Sequence, residues 1–477
     1  MVLCFPQEKE STVLRFKPNN ALMQSSLVGP ILSFLFIIIT ARLLLKKFNP
    51  HAVLLFSGLL MLTTALILQN DMPKLAEETG FSGFDLFKYV KESLTQTNAN
   101  VGLMIMAIGG FVAYIDKIGA SNCLVYVAMK PLQLFKKQPY LAASLVIPIG
   151  QILFIAIPSA AGLALLLMAS LFPILINLGV SRVSAASVIA ASTALGLGPA
   201  SAITVSASNI IEMDIVAYFL NHQMMLAALL SVAMMITYYF VNSYFDKKNP
   251  SLTPEVNVEE QPRTVPLIYA IIPVIPIILL IVFSEIFSFF PEPITLDTTT
   301  AMIISLFIAV LFEMIRTRNI RQVFDSLKIF WDGMGNIFKT VVTLIIAADI
   351  FAKGLISLGF IDGLLSLSLN LGLNAVGISV VMTLMIFLAS ILMGSGNASF
   401  FAFGPLIPNI AKQLGVSSTS MILPMQLSAS MGRTVSPVAG IIIAVAEIAG
   451  VTAMQIAKRN FIPILVAMLV MLCYQYI

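Results

Sequence analysis

The sequence predicts an all-α polytopic membrane protein with 12–14 transmembrane helices, arranged as two inverted repeats that each contain a re-entrant hairpin and a broken helix. Hydrophobic residues make up 58% of the 477 residues and charged residues only 10%, whereas soluble globular proteins carry about 25% charge. Apolar runs of about 20 residues, long enough to span a bilayer, recur along the chain. The two halves also resemble each other, with interrupted segments at matching positions.

Twelve apolar runs are long enough to cross a membrane. They are 27–45, 51–69, 99–117, 139–157, 183–208, 222–243, 265–284, 298–315, 336–358, 376–393, 420–449 and 460–477. Two weaker runs, 118–135 and 360–375, are further candidates. Ser, Gly, Pro and Asn interrupt segments 159–178 and 394–413. Non-helical backbone at membrane depth is tolerated only where it is buried in protein or lines a water-filled cavity. We therefore predict that these two segments form re-entrant hairpins.

Polar segments divide the chain into domains. Residues 1–26 are predicted to be a polar N-terminal tail, because they lack the apolar core of a cleavable signal peptide. Residues 244–264 are polar and predict an exposed linker. The first repeat then spans residues 27–243 and the second spans residues 265–477.

The duplication can be followed residue by residue. A shift of 240 places residues 84–119 on residues 324–359, with eight identities at 36 ungapped positions. The match begins with a polar FDxxK pattern, which apolar composition alone does not produce. A shift of 236 then superimposes LGVS at 178–181 on LGVS at 414–417. Duplication with interrupted segments at matching positions is typical of secondary transporters.

The basic residues predict the orientation of the chain. If both weak runs cross, each half has seven crossings and the second half is inverted; without them the repeat becomes parallel. One side then collects most of the basic residues, which makes it cytoplasmic and places both termini outside. These residues are Arg42, Lys46, Lys47, Arg182, Lys247, Lys248, Arg316, Arg318, Arg321, Lys458 and Arg459.

The second half carries the clearest candidate binding residues. Ser395, Gly396 and Asn397 open the hairpin, and Ser399 follows within one turn. Glycine lets the backbone turn sharply beside a ligand, while Ser and Asn supply donors and acceptors. We predict that these residues bind substrate.

The partner segment adds a charge. Ser428 precedes Arg433 and Thr434, and Pro437 stops the helix from continuing. The broken helix would offer free N–H groups, and the guanidinium a planar fork, to a carboxylate. Alternatively, Arg433 is structural, paired with a helix C-terminus or reaching the membrane interface.

The first half contains a related set without an arginine. Ser159 opens its hairpin, and Ser192, Ser206 and Asn209 lie in the partner span, which glycines and Pro199 interrupt. We predict substrate contacts at these four polar residues. The alternative for each residue taken singly is that small side chains simply allow close helix packing.

Charged residues at membrane depth are candidates for a coupling ion. Asp349 and Glu447 are the two candidates, although Asp349 and Lys353 are four residues apart and we expect them to neutralise each other. No metal or cofactor pattern is found, so we expect no cofactor beyond a coupling proton or sodium ion. The sequence also contains no GxxxxGK[ST] loop for ATP.

Three motifs resemble the anaerobic C4-dicarboxylate carriers of the DcuC type, within an ion-transporter superfamily that has inverted repeats and two hairpins. They are GSGNASFFAFGPLIP at 394–408, SASMGRTVSPVAG at 428–440 and SASNIIEMDIVAYF at 206–219. The resemblance implies exchange, efflux or uptake of succinate or fumarate across the bacterial inner membrane. The superfamily's Ser-Asn-Thr hairpin motif is altered here to Ser395-Gly396-Asn397, and the first hairpin has Ser159-Ala160-Ala161. The departure leaves proton coupling or plain exchange as alternatives to sodium.

Other functions remain open at this point. The chain could carry another carboxylate, such as an amino acid, a short-chain fatty acid or a peptide conjugate. An intramembrane enzyme would need a catalytic pair at depth, and none is found, so we expect no enzymatic activity. The expected partners are a small dicarboxylate, the lipid bilayer and a second copy of the chain in a homodimer, with no nucleic acid.

Overall fold

A computed structural model describes residues 20–135, 137–248, 265–284, 294 and 296–476. The regular elements of this part are all helical. Helix α1 begins at Asn20, so the last residues of the predicted tail are already helical, and residues 1–19 lie outside the described part. The predicted linker, 244–264, lies outside it beyond residue 248.

Ten helices make up the described first half. They are α1 (Asn20–Leu45), α2 (Pro50–Ile67), α3 (Ser82–Lys117), α4 (Ala120–Met129), α5 (Pro139–Ala156), α6 (Ala160–Ser170), α7 (Phe172–Asn177), α8 (Arg182–Ala191), α9 (Ala202–Ile210) and α10 (Ile215–Lys248).

The second half repeats this order of long and short helices. Its members are α11 (Leu267–Val282), α12 (Thr298–Thr317), α13 (Ile320–Ser357), α14 (Phe360–Asn370), α15 (Ala375–Met393), α16 (Gly396–Phe403), α17 (Ile407–Leu414), α18 (Ser418–Thr434), α19 (Gly440–Ala449) and α20 (Ala453–Tyr476).

Eight of these helices are long and apolar enough to cross a membrane: α2, α3, α5, α10, α12, α13, α15 and α20. Shorter apolar helices of 10–17 residues are also present among the described residues. They include Val28–Leu44 within α1 and the whole of α11, Leu267–Val282. Large apolar side chains remain exposed on the long helices, as at Phe240 and Phe307. Such side chains face hydrocarbon when the helices span the bilayer.

The two weak runs form short helices. Within 118–135 the structure has α4 continued by a 3₁₀-helix at Lys130–Phe135, and within 360–375 it has α14. At about 1.5 Å per residue in α-helix and 2 Å in 3₁₀-helix, these segments are about 27 Å and 16 Å long, against a hydrocarbon core of roughly 30 Å. Neither run is among the eight helices that are long and apolar enough to cross a membrane, so a crossing at these two places stays a prediction.

The hairpins begin earlier than the sequence indicates. Helix α5 ends at Ala156, three residues intervene, and α6 and α7 return against it; α15 and α16 are joined by a similar short break. The predicted segments 159–178 and 394–413 are thus the returning arms, and α5 and α15 are the entering arms. The prediction missed this because α5 and α15 are apolar enough to pass for ordinary crossings.

The repeat remains inverted even when the weak runs are left out. A hairpin returns to the side from which it entered, so we then count five crossings in the first half: α1, α2, α3, the broken pair α8–α9 and α10. This odd number of crossings inverts the second half. Dropping the weak runs therefore does not make the repeat parallel.

The packing of the helices shows the same twofold relation. Helix α2 packs on the second part of α13, and its repeat equivalent α12 packs on the second part of α3. Helix α1 contacts α14, and its repeat equivalent α11 contacts α4. In the same way, α6 contacts α19, and its repeat equivalent α16 contacts α9. Each helix therefore meets the same neighbours taken from the opposite repeat.

Contacts at one end of the bundle agree with the predicted cytoplasmic side. Arg182 donates to the carbonyl oxygen of Ala449 at 3.4 Å. Arg459 forms a buried ion pair with Asp246, with 2.9 Å between Nη1 and Oδ1. Residues predicted to share one side of the membrane thus lie together.

Candidate anion-binding site at the helix breaks

Each repeat contains one helix that stops near its middle and starts again. In the first, α8 ends at Ala191 and α9 begins at Ala202. Gly196 and Gly198 between them have φ values of +60° and +98°, a conformation that side chains rarely adopt. In the second, α18 ends at Thr434 and α19 begins at Gly440, with a proline in the gap. Both interruptions are therefore built by residues that disfavour a continuous helix.

The two breaks meet across the repeats. A Cβ atom added to Gly196 would lie 2.5 Å from the hydroxyl oxygen of Ser430. Nearby, Nη2 of Arg433 donates a hydrogen bond of 2.7 Å to the carbonyl oxygen of Thr193. The structure thus brings the two interrupted helices into contact.

The hairpin tips pack against the breaks of their own repeats. A Cβ atom on Gly396 would lie 2.7 Å from the carbonyl oxygen of Ala429, and one on Gly394 would lie 2.9 Å from that of Val438. In the first repeat, a Cβ atom on Gly198 would lie 3.1 Å from the backbone Cα atom of Ile155 and 2.9 Å from its Cγ2 atom. Glycine is required at these points because the backbones approach too closely for a side chain.

Helix N-termini point into this region. Ser395 caps α16 by accepting from the N–H of Ala398 at 3.2 Å, and Ser159 caps α6 by accepting from the N–H of Gly162 at 3.1 Å. Helices α9 and α19 also begin at the breaks. The positive ends of these helix dipoles favour a negative group.

Arg433 is the charge at the centre of this arrangement. Its Nε is buried and has no hydrogen-bond partner, and among the described residues no carboxylate forms an ion pair with its guanidinium. A buried charge is costly unless it is paired. The guanidinium can therefore pair with an anion that reaches the junction of the two breaks.

Several predicted residues are satisfied by the protein itself. Their hydroxyl groups donate to backbone carbonyl oxygens and are buried: Ser192 to Ile189, Ser399 to Gly396, Ser428 to Thr383 and Met425, and Thr434 to Met431. These contacts stabilise the broken helices. Because these hydroxyl groups already donate their hydrogen atoms, they could only accept a hydrogen bond from a ligand.

The remaining predicted residues differ in exposure. The side chains of Asn397 and Ser206 make no hydrogen bond to the described residues, and Asn397 is partly exposed. Asn209 is exposed near the end of α9. Asn397, on the first turn of α16, has the unpaired amide nearest in sequence to the hairpin tip.

The two candidates for a coupling ion lie outside the junction of the breaks. Asp349 accepts from Nζ of Lys353 at 2.7 Å, which confirms the expected pairing of these two charges. Glu447 is exposed in the last turn of α19, next to the end of the bundle where Arg182 contacts Ala449. Neither carboxylate forms an ion pair with Arg433.

A buried hydrogen-bond network beside the breaks was missed by the sequence prediction. Nε2 of Gln426 donates to the hydroxyl of Thr204 at 3.0 Å, and Tyr218 donates to Oε1 of Gln426 at 2.6 Å. Gln223 donates to the same hydroxyl at 3.1 Å and accepts from the N–H of Gly198. The signal available in the sequence was the presence of two glutamines inside apolar runs.

We expect Gln426→Leu to destabilise the protein, because it leaves the buried Tyr218 hydroxyl without its acceptor. An orphaned buried polar group costs about 1–3 kcal/mol. The loss should appear as a lower Tm in detergent. Gln413→Leu, at an exposed position on α17, is the control and should leave the Tm unchanged. Equal Tm values for both variants would contradict a stabilising role for the network.

Comparison with known proteins adds independent findings. The family model described as "C4-dicarboxylate anaerobic carrier", DcuC, matches residues 28–477. The anaerobic C4-dicarboxylate transporter DcuC of Escherichia coli K12 is 34% identical over 433 residues, which cover 91% of this chain and 93% of the relative. A probable transporter of the same name from Vibrio cholerae is 34% identical over 448 residues, covering 94% and 96%.

Two solved structures share the fold. Neisseria gonorrhoeae MtrF, described among a class of antimetabolite efflux pumps, superimposes with a TM-score of 0.58 at 12% identity and covers 92% of this chain and 97% of its own. The Alcanivorax borkumensis YdaH transporter gives 0.59 at 14% identity, with coverage of 90% and 98%. At this identity the likeness shows the fold alone, and it confirms the predicted fold class.

Proposed function

The chain belongs to the DcuC family of anaerobic C4-dicarboxylate carriers, and on this premise we propose that it transports C4-dicarboxylates such as succinate and fumarate by secondary transport. It is a multi-pass protein of the bacterial inner membrane and a carrier rather than an enzyme. The substrate is a small dicarboxylate, and the surrounding partner is the bilayer.

The observation that carries this function is the guanidinium of Arg433, whose buried Nε has no hydrogen-bond partner and which forms no ion pair with a described carboxylate, at the junction of two helix breaks. One carboxylate of the four-carbon substrate pairs with Arg433. The second carboxylate binds toward the helix N-termini at the hairpin tips, where Asn397 offers an unpaired amide. The two repeats thus supply unequal halves of one site.

Exchange is the transport mode that the charges favour. When substrate is bound, the carrier changes conformation with the charge of Arg433 paired to a carboxylate. Without substrate it would have to change conformation with that charge unpaired, which costs free energy. The altered hairpin motifs and the absence of an ion pair between Arg433 and any described carboxylate offer no support for an obligatory ion partner. We therefore propose exchange with a proton or sodium ion as an accessory, and we propose no other cofactor.

Counterflow in proteoliposomes tests this function. Vesicles loaded with unlabelled succinate should accumulate labelled succinate transiently, with or without a sodium or pH gradient. Unlabelled fumarate should compete, whereas amino acids, short-chain fatty acids and peptide conjugates should not. Saturable uptake of one of those other acids without succinate competition would reject the proposed substrate.

The pair formed by Asp349 and Lys353 provides a separate prediction about coupling. Removing one partner, as in Asp349→Asn or Lys353→Met, leaves a half-buried charge alone and should cost about 1–2 kcal/mol of stability after allowance for its partial exposure. The double variant should recover the Tm and retain counterflow. A double variant that is stable but has lost a pH-gradient effect seen in the wild type would show that Asp349 carries a coupling proton.

We place the homodimer contact on two amphipathic arms, residues 84–98 and 321–335, which lie near the starts of α3 and α13. Phe84 and Phe324 are repeat equivalents, and both are exposed, as is Trp331. Exposed aromatic side chains are enriched at the buried centres of protein interfaces. Phe324→Glu combined with Trp331→Glu should convert dimers to monomers in mass photometry, and a purely monomeric wild type would reject the dimer.

A further inference from the structure

An apolar cavity of about 210 Å³ lies between the second hairpin and helices α1, α2 and α13. Its walls come from α1, α2, α13, α15 and α16, and include Phe351, Ala389 and Phe403. The one hydroxyl in the wall, that of Thr40, donates to Ser57 at 3.0 Å and so is already satisfied. The cavity therefore offers nothing that would hold water.

The cavity opens toward the hydrocarbon of the membrane. Leu388 and Leu392 line it and are 56% and 44% exposed on the outer surface of α15, a helix apolar enough to cross the bilayer. At that depth the surrounding solvent consists of lipid acyl chains. An apolar cavity of about 150 Å³ is known to accept a ring the size of benzene, so this one is large enough for several methylene groups.

The repeat-related position in the first half is almost closed. There the equivalent helices leave only about 10 Å³, in a space lined by Phe111, Ile155 and Met302. Phe111 and Phe351 are aligned by the shift of 240, and both are buried, at 2% and 1% exposure. The large cavity is therefore a property of one side of the molecule and does not follow from the repeat itself.

We propose that this cavity binds one acyl chain of a membrane lipid, which enters between α1 and α15 and lies against the returning arm of the second hairpin. The acyl chain fills the space beside Met393, next to the hairpin tip, and stabilises the hairpin in this position. This inference requires only that the protein lies in a bilayer, so it does not rest on the proposed substrate.

Quenching of tryptophan fluorescence by brominated lipid tests the proposal. Trp331→Phe removes the single tryptophan of the chain. In this background, Phe351→Trp and Phe111→Trp place matched buried reporters at the large and the closed space. In phosphatidylcholine vesicles brominated on the acyl chains, the reporter at 351 should lose most of its fluorescence and the reporter at 111 should lose little. Equal quenching at both positions would overturn the proposal.

Filling the cavity provides the second arm of the test. Ala389→Phe, or Ala41→Phe on the opposite wall, should restore the fluorescence of the reporter at 351 in the same brominated vesicles. Two independent filling variants guard against misfolding of either one. Quenching that persists in both well-folded variants would show that the bromine atoms reach the reporter from the outer surface and would reject the site.

Discussion

Arg433→Met is expected to abolish succinate counterflow while leaving the protein folded. The substitution keeps a long apolar side chain but removes the charge that pairs with the substrate carboxylate. Truncating one partner of a buried charge pair costs about 2–5 kcal/mol, which corresponds to a loss of about 30-fold to several thousand-fold in binding. The measurement is counterflow in proteoliposomes together with the Tm of the purified variant.

The expected Tm separates a binding role from a structural one. Arg433→Met removes the desolvation of the charge but leaves the Thr193 carbonyl oxygen without its donor, and because these effects oppose each other the Tm should stay close to that of the wild type. Arg433→Lys should retain a small part of the activity, since it keeps the charge without the planar fork. Arg182→Met is the matched control, because Arg182 also donates to a carbonyl oxygen of the opposite repeat but lies at the end of the bundle.

Arg182→Met should therefore leave the KM for succinate unchanged. If Arg433→Met exchanged succinate at the wild-type rate, the assignment of the binding site would be wrong. If it lost activity only in proportion to a large fall in Tm, Arg433 would be a structural residue that joins the two breaks through Thr193.

Gly396→Ala is expected to cause the second large loss of transport. The added Cβ atom would lie 2.7 Å from the carbonyl oxygen of Ala429. This oxygen belongs to the backbone of α18, so it cannot avoid the clash by a change of rotamer as a side chain can. Overpacking of this kind costs about 1–3 kcal/mol. The second hairpin must move away from the broken helix, which displaces Asn397 and the N-terminus of α16 from the site.

Gly440→Ala is a closely matched control. Gly440 is the first residue of the short helix α19, as Gly396 is of α16, but a Cβ atom there would meet no atom within 4 Å. Counterflow and Tm should both be close to wild type in Gly440→Ala, whereas Gly396→Ala should lower the counterflow rate more than tenfold, about the effect of 1.4 kcal/mol. Similar rates for the two variants would contradict the close approach of hairpin and helix.

Much of the architecture was predictable because it depends on local patterns of the amino-acid sequence. Hydropathy located the long helices, and the match of Phe84 and Asp85 with Phe324 and Asp325 revealed the duplication in the linear chain. Arg433 stood out because a charge within an apolar run is costly. The broken helices could be located because glycine and proline act on the backbone of their own residues.

The boundaries of the hairpins were harder to predict. Helix α5 and a crossing helix are equally apolar, because a hairpin arm that packs between protein and lipid excludes water as a span does. Only the return of α6 and α7 against α5 distinguishes them. The same ambiguity affected the serines: Ser428 and Ser395 look alike in sequence, but the first donates to a backbone carbonyl oxygen and the second caps a helix.

The sequence by itself determined a duplicated membrane carrier and the one arginine at depth, since composition, period and repeat are properties of the linear chain. The tertiary structure alone decided that Arg433 meets Thr193, that Gln426 joins Tyr218 and Thr204, and that only one of two equivalent spaces stays open. These contacts join residues about two hundred positions apart, and no local propensity encodes which distant surfaces pack together. They depend on the shapes that the two inverted halves present to each other once folded.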